Sequence, residues 1–365
     1  RAFGVALPEG TVSGSGPADL RVDLRRGAPP EFTLTSRLGG VGLSLPPLGW
    51  TLPRGTLGTL EVAGVLAQPA RIDRLVLDAP GLEARGAITL NADGSLDSID
   101  LDRVRAGGWL DAPVILTGRG AGVPPAVRIT GGSVDLRNAP FGRAGGGGAA
   151  RGGPVPLTLA LDQLQVSNSI RLTDFRGDLR SGGGLTGNFT ASVNGAAPIT
   201  GEALPQAGST AFRIRSNDAG KVIREAGILK TVAGGDMTLA LAPVAGQPGT
   251  YDGALDVVNT RLRDAPGIAS LLDAISIVGL LDQLEGPGIL FSEVEARFRL
   301  TPDQLVLTRS SATGPSMGIS MDGTYNLGAG TLDFQGVLSP IFFLNGIGSI
   351  FTRKGEGLIG FNFNL

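Results

Sequence analysis

The chain of 365 residues contains no cysteine and no histidine. Without a thiol or an imidazole there is no Cys–His or Ser–His–Asp nucleophile system, no haem held by an axial histidine and no zinc site of the usual kind. No disulfide can form, so cysteine counting does not assign a redox compartment. Aromatic side chains are sparse, at 14 Phe, 2 Trp and 2 Tyr. A sugar-stacking cleft or a base-stacking platform therefore lacks its usual material. Neither charge sign dominates: 31 Lys and Arg stand against 33 Asp and Glu, a net charge of −2. The chain as a whole thus has no pull on nucleic acid. No apolar run is long enough to read as a membrane-spanning helix. The sequence starts at Arg1 without an initiator methionine, a charged leader or an apolar signal core, and reads as a fragment or a processed form.

What the chain has in abundance is glycine and proline, 59 and 24 residues, about twice ordinary usage. Each glycine inside a helix costs about 1 kcal/mol, which argues against a helical protein. The dominant pattern is alternation with period 2. Val294, Ala296, Phe298 and Leu300 share one face, and Glu293, Glu295, Arg297 and Arg299 take the other. Leu185, Gly187, Phe189, Ala191 and Val193 likewise oppose Thr186, Asn188, Thr190 and Ser192. The same holds for Ile319, Met321 and Tyr325, for Leu332, Phe334 and Leu338, and for Ile359, Phe361, Phe363 and Leu365. Shorter stretches repeat it at 20–24, 126–129, 134–136, 157–161, 212–214 and 237–241. Strands with one dry and one wet face belong to antiparallel sheet. Asp93-Gly94, Asn194-Gly195 and Gly328-Ala329-Gly330 supply the positive φ of tight hairpins between them.

The run from Gly142 to Gly153 cannot bury a core and reads as a flexible linker or loop. It divides the chain into a β-sheet segment at 1–141 and a second β region at 154–365. Three short helices are expected in the second region. Asp218–Gly227 has a good N-cap and ends at glycine. Asp264 to about Leu284 carries Ile268, Leu271, Leu272, Ile275, Val278 and Leu281 at helical spacing. Pro340–Ile350, with Phe342 and Phe343, is too short to cross a bilayer. All three suit a cover over the apolar face or an open end of the sheet; the last also suits a membrane surface.

No motif carries catalytic chemistry. Gly314-Pro315-Ser316-Met317-Gly318 matches a nucleophile elbow in letters only, since a strand rather than a helix follows and no histidine base exists. Asn91-Ala92-Asp93-Gly94 with Asp97, Asp100 and Asp102 resembles half a calcium loop, but a hairpin turn before a strand with acidic outer positions explains it more simply. Glu293 and Glu295 alternate with Arg297 and Arg299 as a solvated, charge-balanced face rather than a glycosidase pair. What remains is the long apolar face. From the residues alone it is either an ordinary closed β core or an open hydrophobic groove.

The C-terminal half carries more specific blocks. They are Ala219-Gly220-Lys221-Val222, Val232 to Met237, Tyr251 to Leu255, Leu262 to Pro266 and Phe334 to Pro340, then Leu344 to Gly348 and Lys354 to Phe361. Together they resemble the AsmA-like family of bacterial envelope proteins, in particular its YhdP branch. Pro340, Asn345, Gly355, Glu356 and Gly357 are the family-motif positions. The N-terminal half is similar more weakly, through Gly131 to Arg137. The resemblance implies a mainly β fold, an elongated, curled antiparallel sheet forming a hydrophobic groove. It also implies a non-enzyme without cofactor or metal, a bridge-like carrier of phospholipids across the periplasm that supports outer-membrane integrity in Gram-negative bacteria. The partners implied are phospholipid acyl chains, with inner and outer membranes at the two ends and no nucleic acid. Anchoring to the inner membrane would come from a segment absent from this chain. On that reading Leu185, Phe189, Val294, Phe298, Leu300, Ile319, Met321, Leu332 and Phe334 line the groove. Leu271, Leu272, Ile275, Val278, Phe342 and Phe343 then gate or cap it. The alternatives are a TamB-type assembly factor for outer-membrane proteins and a structural or adhesive surface protein with a closed core.

Overall fold

Short one-sided strands separated by glycine turns can bury their apolar faces only by pairing side by side. The computed structural model describes residues 10–140, 153–264, 269–270, 284, 286–339 and 360–364, and it is mainly β. The chain divides into two compact units, residues 1–183 and 184–365.

The first unit contains β1 (Val12–Gly14), β2 (Ala18–Asp23), β3 (Glu31–Ser36), β4 (Val41–Leu45), β5 (Trp50–Leu52), β6 (Thr59–Val65) and β7 (Arg71–Ala79). It continues with β8 (Leu82–Leu90), β9 (Leu96–Ala106), β10 (Leu110–Thr117), β11 (Ala126–Ile129), β12 (Ser133–Asp135), β13 (Val155–Gln165) and β14 (Arg171–Ser181). Strands β1, β4 and β5 form a small antiparallel sheet. The main sheet runs β2, β3, β6, β7, β8, β9, β10 as antiparallel neighbours. Here the antiparallel expectation needs one amendment. β11 and β12 share a single place beside β10, and β13 lies parallel to both. A parallel neighbour needs a crossover of a dozen residues or more. Residues 136–154 separate β12 from β13 in the chain, and both strands belong to the first unit.

β-Bulges recur at Ala63/Gly64, Ile72/Leu75, Arg85/Gly86 and Ala112/Val114. Each bends its strand and increases the local twist. At Gly64 and Gly86 a Cβ would overlap the carbonyl oxygens of Arg71 and Asp100, so only glycine permits the bend there. The inner face is apolar, and its end near Ala79, Leu82, Ala106 and Leu110 is sealed. Both tryptophans stand at that end. The indole N–H of Trp50 donates to the Pro80 carbonyl at 2.9 Å, and that of Trp109 donates to the Leu48 carbonyl at 3.3 Å.

The second unit holds β15 (Leu185–Val193), β16 (Ala197–Gln206), β17 (Ser209–Ser216), α1 (Ala219–Glu225), β18 (Val232–Ala233), β19 (Asp236–Pro243) and β20 (Tyr251–Leu262). It ends with β21 (Ile289–Leu300), β22 (Gln304–Thr313), β23 (Gly318–Asn326), β24 (Thr331–Ser339) and β25 (Phe361–Asn364). Neighbours pair antiparallel in the order β15, β16, β17, β19, β20, β21, β22, β23, β24, β25, with β18 continuing the line of β19 along β20. Between β15 and β16 the turn residues Asn194 and Gly195 take φ of 49° and 79°, as an Asn-Gly hairpin requires.

One of the three expected helices is described in full. Asp218 caps α1 by accepting the Lys221 amide at 2.9 Å, and Gly227 follows its end at φ 76°. Of the second helix, only Asp264, Ala269, Ser270 and Leu284 are described; Leu271, Leu272, Ile275 and Val278 lie outside the described residues. The third helix, with Phe342 and Phe343, lies outside them too, as do Pro340, Asn345, Gly355, Glu356 and Gly357. No helix among the described residues is long and apolar enough to cross a membrane.

Candidate functional site: the apolar face of the second unit

Residues directly opposite each other on paired strands point to the same side of a sheet. This lets the register be followed across the whole unit. Phe189 opposes Gly201, and Gly201 opposes Ile214. Ile214 opposes Leu239, Leu239 opposes Leu255, and Leu255 opposes Ala296. Ala296 shares the face of Val294, Phe298 and Leu300, and Val294 opposes Ala312, which in turn opposes Ile319. Met321, Leu332 and Phe334 oppose Gly336, Tyr325 and Gly323. Leu185, Phe189, Val294, Phe298, Leu300, Ile319, Met321, Leu332 and Phe334 therefore stand on one face. The same register adds Leu239, from the alternating stretch at 237–241, and Leu255, Tyr251, Leu305 and Leu307, which alternation did not single out. In β22 the sequence Leu305-Val306-Leu307 blurs the period, and a bulge between Leu307 and Ser310 shifts it before Ala312.

Burial along this face is graded from one end to the other. At the end near Ile289, the residues Leu262, Phe291, Met317, Ile319, Leu338 and Phe363 pack into a core with Leu284. Beside it Met237 and Val257 pack under Ala219, Val222 and Ile223 of α1. Gly220 makes that contact possible: a Cβ there would stand 2.5 Å from the Ala233 backbone. At the opposite end, past Ala296, the lining stays half-buried at Phe298, Leu300, Leu305, Leu307, Tyr325 and Phe334. Leu332 is 54% exposed, whereas Leu338 at the other end of the same strand is 1% exposed. Among the described residues the face is thus plugged at one end and only half-covered at the other.

Glycines within the strands shape this surface. Cross-strand pairs place Gly201 against Phe189, Gly253 against Phe298, Gly323 against Phe334 and Gly336 against Phe363. In each pair a Cβ on the glycine would overlap the ring, so the ring reaches over the neighbouring strand.

The opposite face is wet and charge-balanced. Arg299 pairs with Asp252 at 2.8 Å and Arg297 with Asp256 at 3.0 Å. The hydrogen bonds from Arg299 hold the Asp252 carboxyl below the usual carboxylate range. On the apolar side, burial pushes the Tyr251 phenol up. In the first unit a depression on the charged face is lined by Glu83, Arg105, Trp109, Asp111, Asp135 and Arg137. Its charges pair with one another, Arg105 with Glu83 at 3.4 Å and Arg137 with Asp135 at 2.7 Å.

The remaining motifs resolve as turns. Gly314 donates its N–H to the Met317 carbonyl at 3.0 Å, closing a hairpin loop around Ser316 between β22 and β23. The Asp93 carboxylate accepts the N–H and hydroxyl of Ser95 and stabilises the β8–β9 turn. Among the described residues there is no group of three or more acidic side chains placed to hold a metal. No protein-family model, no curated protein and no solved structure matches this chain.

Proposed function

We propose that the chain is a non-enzymatic lipid carrier whose second unit shields phospholipid acyl chains along the apolar face of its sheet. The observation that carries the reading is the burial gradient of that face. Leu338 is sealed, whereas Leu332, just after the 327–330 turn on the same strand, is open, and the lining between stays half-buried. An acyl chain laid over Phe298, Leu300, Leu307 and Phe334 would cover the half-buried end. Each methylene removed from water contributes about 0.8 kcal/mol, so binding needs no reactive group. The headgroup would remain outside, near the ion-paired strand ends. The likeness of the C-terminal blocks to AsmA-like proteins supplies the setting, transfer across a periplasm between two membranes.

The test is photo-crosslinking in the intact envelope. A photoreactive phenylalanine analogue replaces Phe298 or Phe334, and the adducts are analysed by mass. Glycerophospholipid adducts are expected. Adducts with protein strands alone would overturn the reading in favour of outer-membrane protein assembly, and no adduct at either position would favour a closed structural protein.

A further inference from the structure

Strand β2 is the outermost strand of the main sheet in the first unit, and among the described residues it pairs only with β3. It is exposed along its whole length, on both faces. Its apolar stripe continues past the strand end: Leu20, Val22 and Leu24 are 52%, 43% and 77% exposed.

The direction of its backbone groups follows from two hydrogen bonds. The Pro30 carbonyl accepts the Leu66 amide from the β6 side, so even-numbered residues of β3 face β6 and odd-numbered ones face β2. Independently, the Pro17 carbonyl accepts the Ser36 hydroxyl, which places odd-numbered residues of the β2 segment toward β3. The N–H and C=O groups of Ala18, Leu20 and Val22 therefore point away from the sheet, as a row open to another strand.

Edge strands commonly carry charge to discourage such pairing. Here the two signs alternate: Asp19, Arg21, Asp23, Arg25. We propose that the β2 edge pairs antiparallel with the β2 edge of a second copy of this chain, with Val22 on the two-fold axis. In that register Leu20 opposes Leu24 of the other copy, and these residues and Val22 use the outward backbone groups. Arg21 then opposes Asp23, and Asp19 opposes Arg25, each pair twice by symmetry. Both are non-hydrogen-bonded positions, where side chains approach most closely. Shifting the register by two residues in one direction sets Arg21 against itself and Asp19 against Asp23. Shifting it two residues the other way sets Asp23 against itself and Arg21 against Arg25. The charge pattern therefore selects one register. The existing intrachain partners are weak competitors, since Arg21–Asp23 and Arg25–Glu31 stand at 3.9 Å and are solvent-exposed.

The test is sedimentation equilibrium of the full chain, with circular dichroism to confirm that each variant folds. The wild type is expected to dimerise reversibly in the micromolar range and to dissociate as salt rises, because exposed pairs are screened. R21D/R25D and D19R/D23R should each weaken self-association about tenfold or more. Mixing these two variants should restore dimers, as the acidic edge meets the basic one. A wild-type chain that stays monomeric through the micromolar range would overturn the proposal. So would dimers in both single-sign variants as stable as the wild type's, or a mixture that fails to recover association. None of these outcomes depends on lipid binding by the second unit.

Discussion

Gly253 lies beneath the ring of Phe298 on the neighbouring strand, with no room between them for a Cβ. Three further pairs, Gly201–Phe189, Gly323–Phe334 and Gly336–Phe363, repeat the relationship. Each ring occupies the space a Cβ would take on the neighbouring strand, and a strand glycine is the condition for it.

Gly253→Ala should therefore act through Phe298. The new methyl displaces the ring toward the open space, at a cost of about 1–3 kcal/mol typical of overpacking. In a double-mutant cycle with Phe298→Ala the penalty should largely vanish, because no ring remains to displace. Chemical denaturation of the four proteins measures the coupling. Additive penalties would show that the glycine serves the backbone alone.

The closed end makes a different prediction. Gly220→Ala puts a methyl against the backbone of Ala233, which cannot swing aside as a ring can. Helix α1 should lift from β18 and expose Met237 and Val257. A loss of about 1–3 kcal/mol is expected, together with faster amide exchange across α1 measured by mass spectrometry.

Leu338 and Leu332 separate stability from function on one strand. Leu338→Ala should cost about 2–5 kcal/mol, as for a buried leucine that leaves a cavity. Leu332→Ala should alter stability by less than about 0.5 kcal/mol, the usual range for surface positions. It should nevertheless lower the phospholipid that copurifies with the chain, as measured by lipid extraction and mass spectrometry. Unchanged lipid content would remove Leu332 from the proposed lining.

The pH response follows from the ion pairs. Arg299 and Arg103 hold Asp252 and Asp111 below the usual carboxylate range, chiefly by direct hydrogen bonds. A carboxyl whose folded pKa is depressed binds fewer protons when folded. Its stabilisation is present above the unfolded value, about 3.9 for Asp, and is lost as pH falls through the folded one. No histidine is present to titrate between pH 5 and 8. The melting temperature should be flat across that window and drop below about pH 4. D111N/D252N should be slightly less stable than wild type at neutral pH and converge with it in strong acid. The effect is small, because exposed pairs contribute little.

Much of the second unit was legible in its sequence because its strands are long, antiparallel and wet on one side. In such strands the two-residue period of the backbone is written directly as alternation. That is why the apolar side of each strand, with Leu185, Phe298 or Phe334 on it, could be read before any pairing was known; that these sides form one face came from the register. The capped helix at Asp218–Gly227 was legible for a similar reason, since its cap and terminal glycine act within a few residues. The strand glycines were not. In sequence Gly253 and Gly201 look like turn residues, and only the register sets them beneath rings about 45 and 12 positions away.

By itself, then, the sequence determined the kind of element, the sidedness of each strand and the absence of any thiol or imidazole. These are properties of residue type and local spacing. The tertiary structure decided the rest: the parallel crossover at β13, the bulges that shift the period in β22, and the burial of Leu338 but not Leu332. Each depends on which strands are neighbours and what closes over them, and no local pattern carries that information.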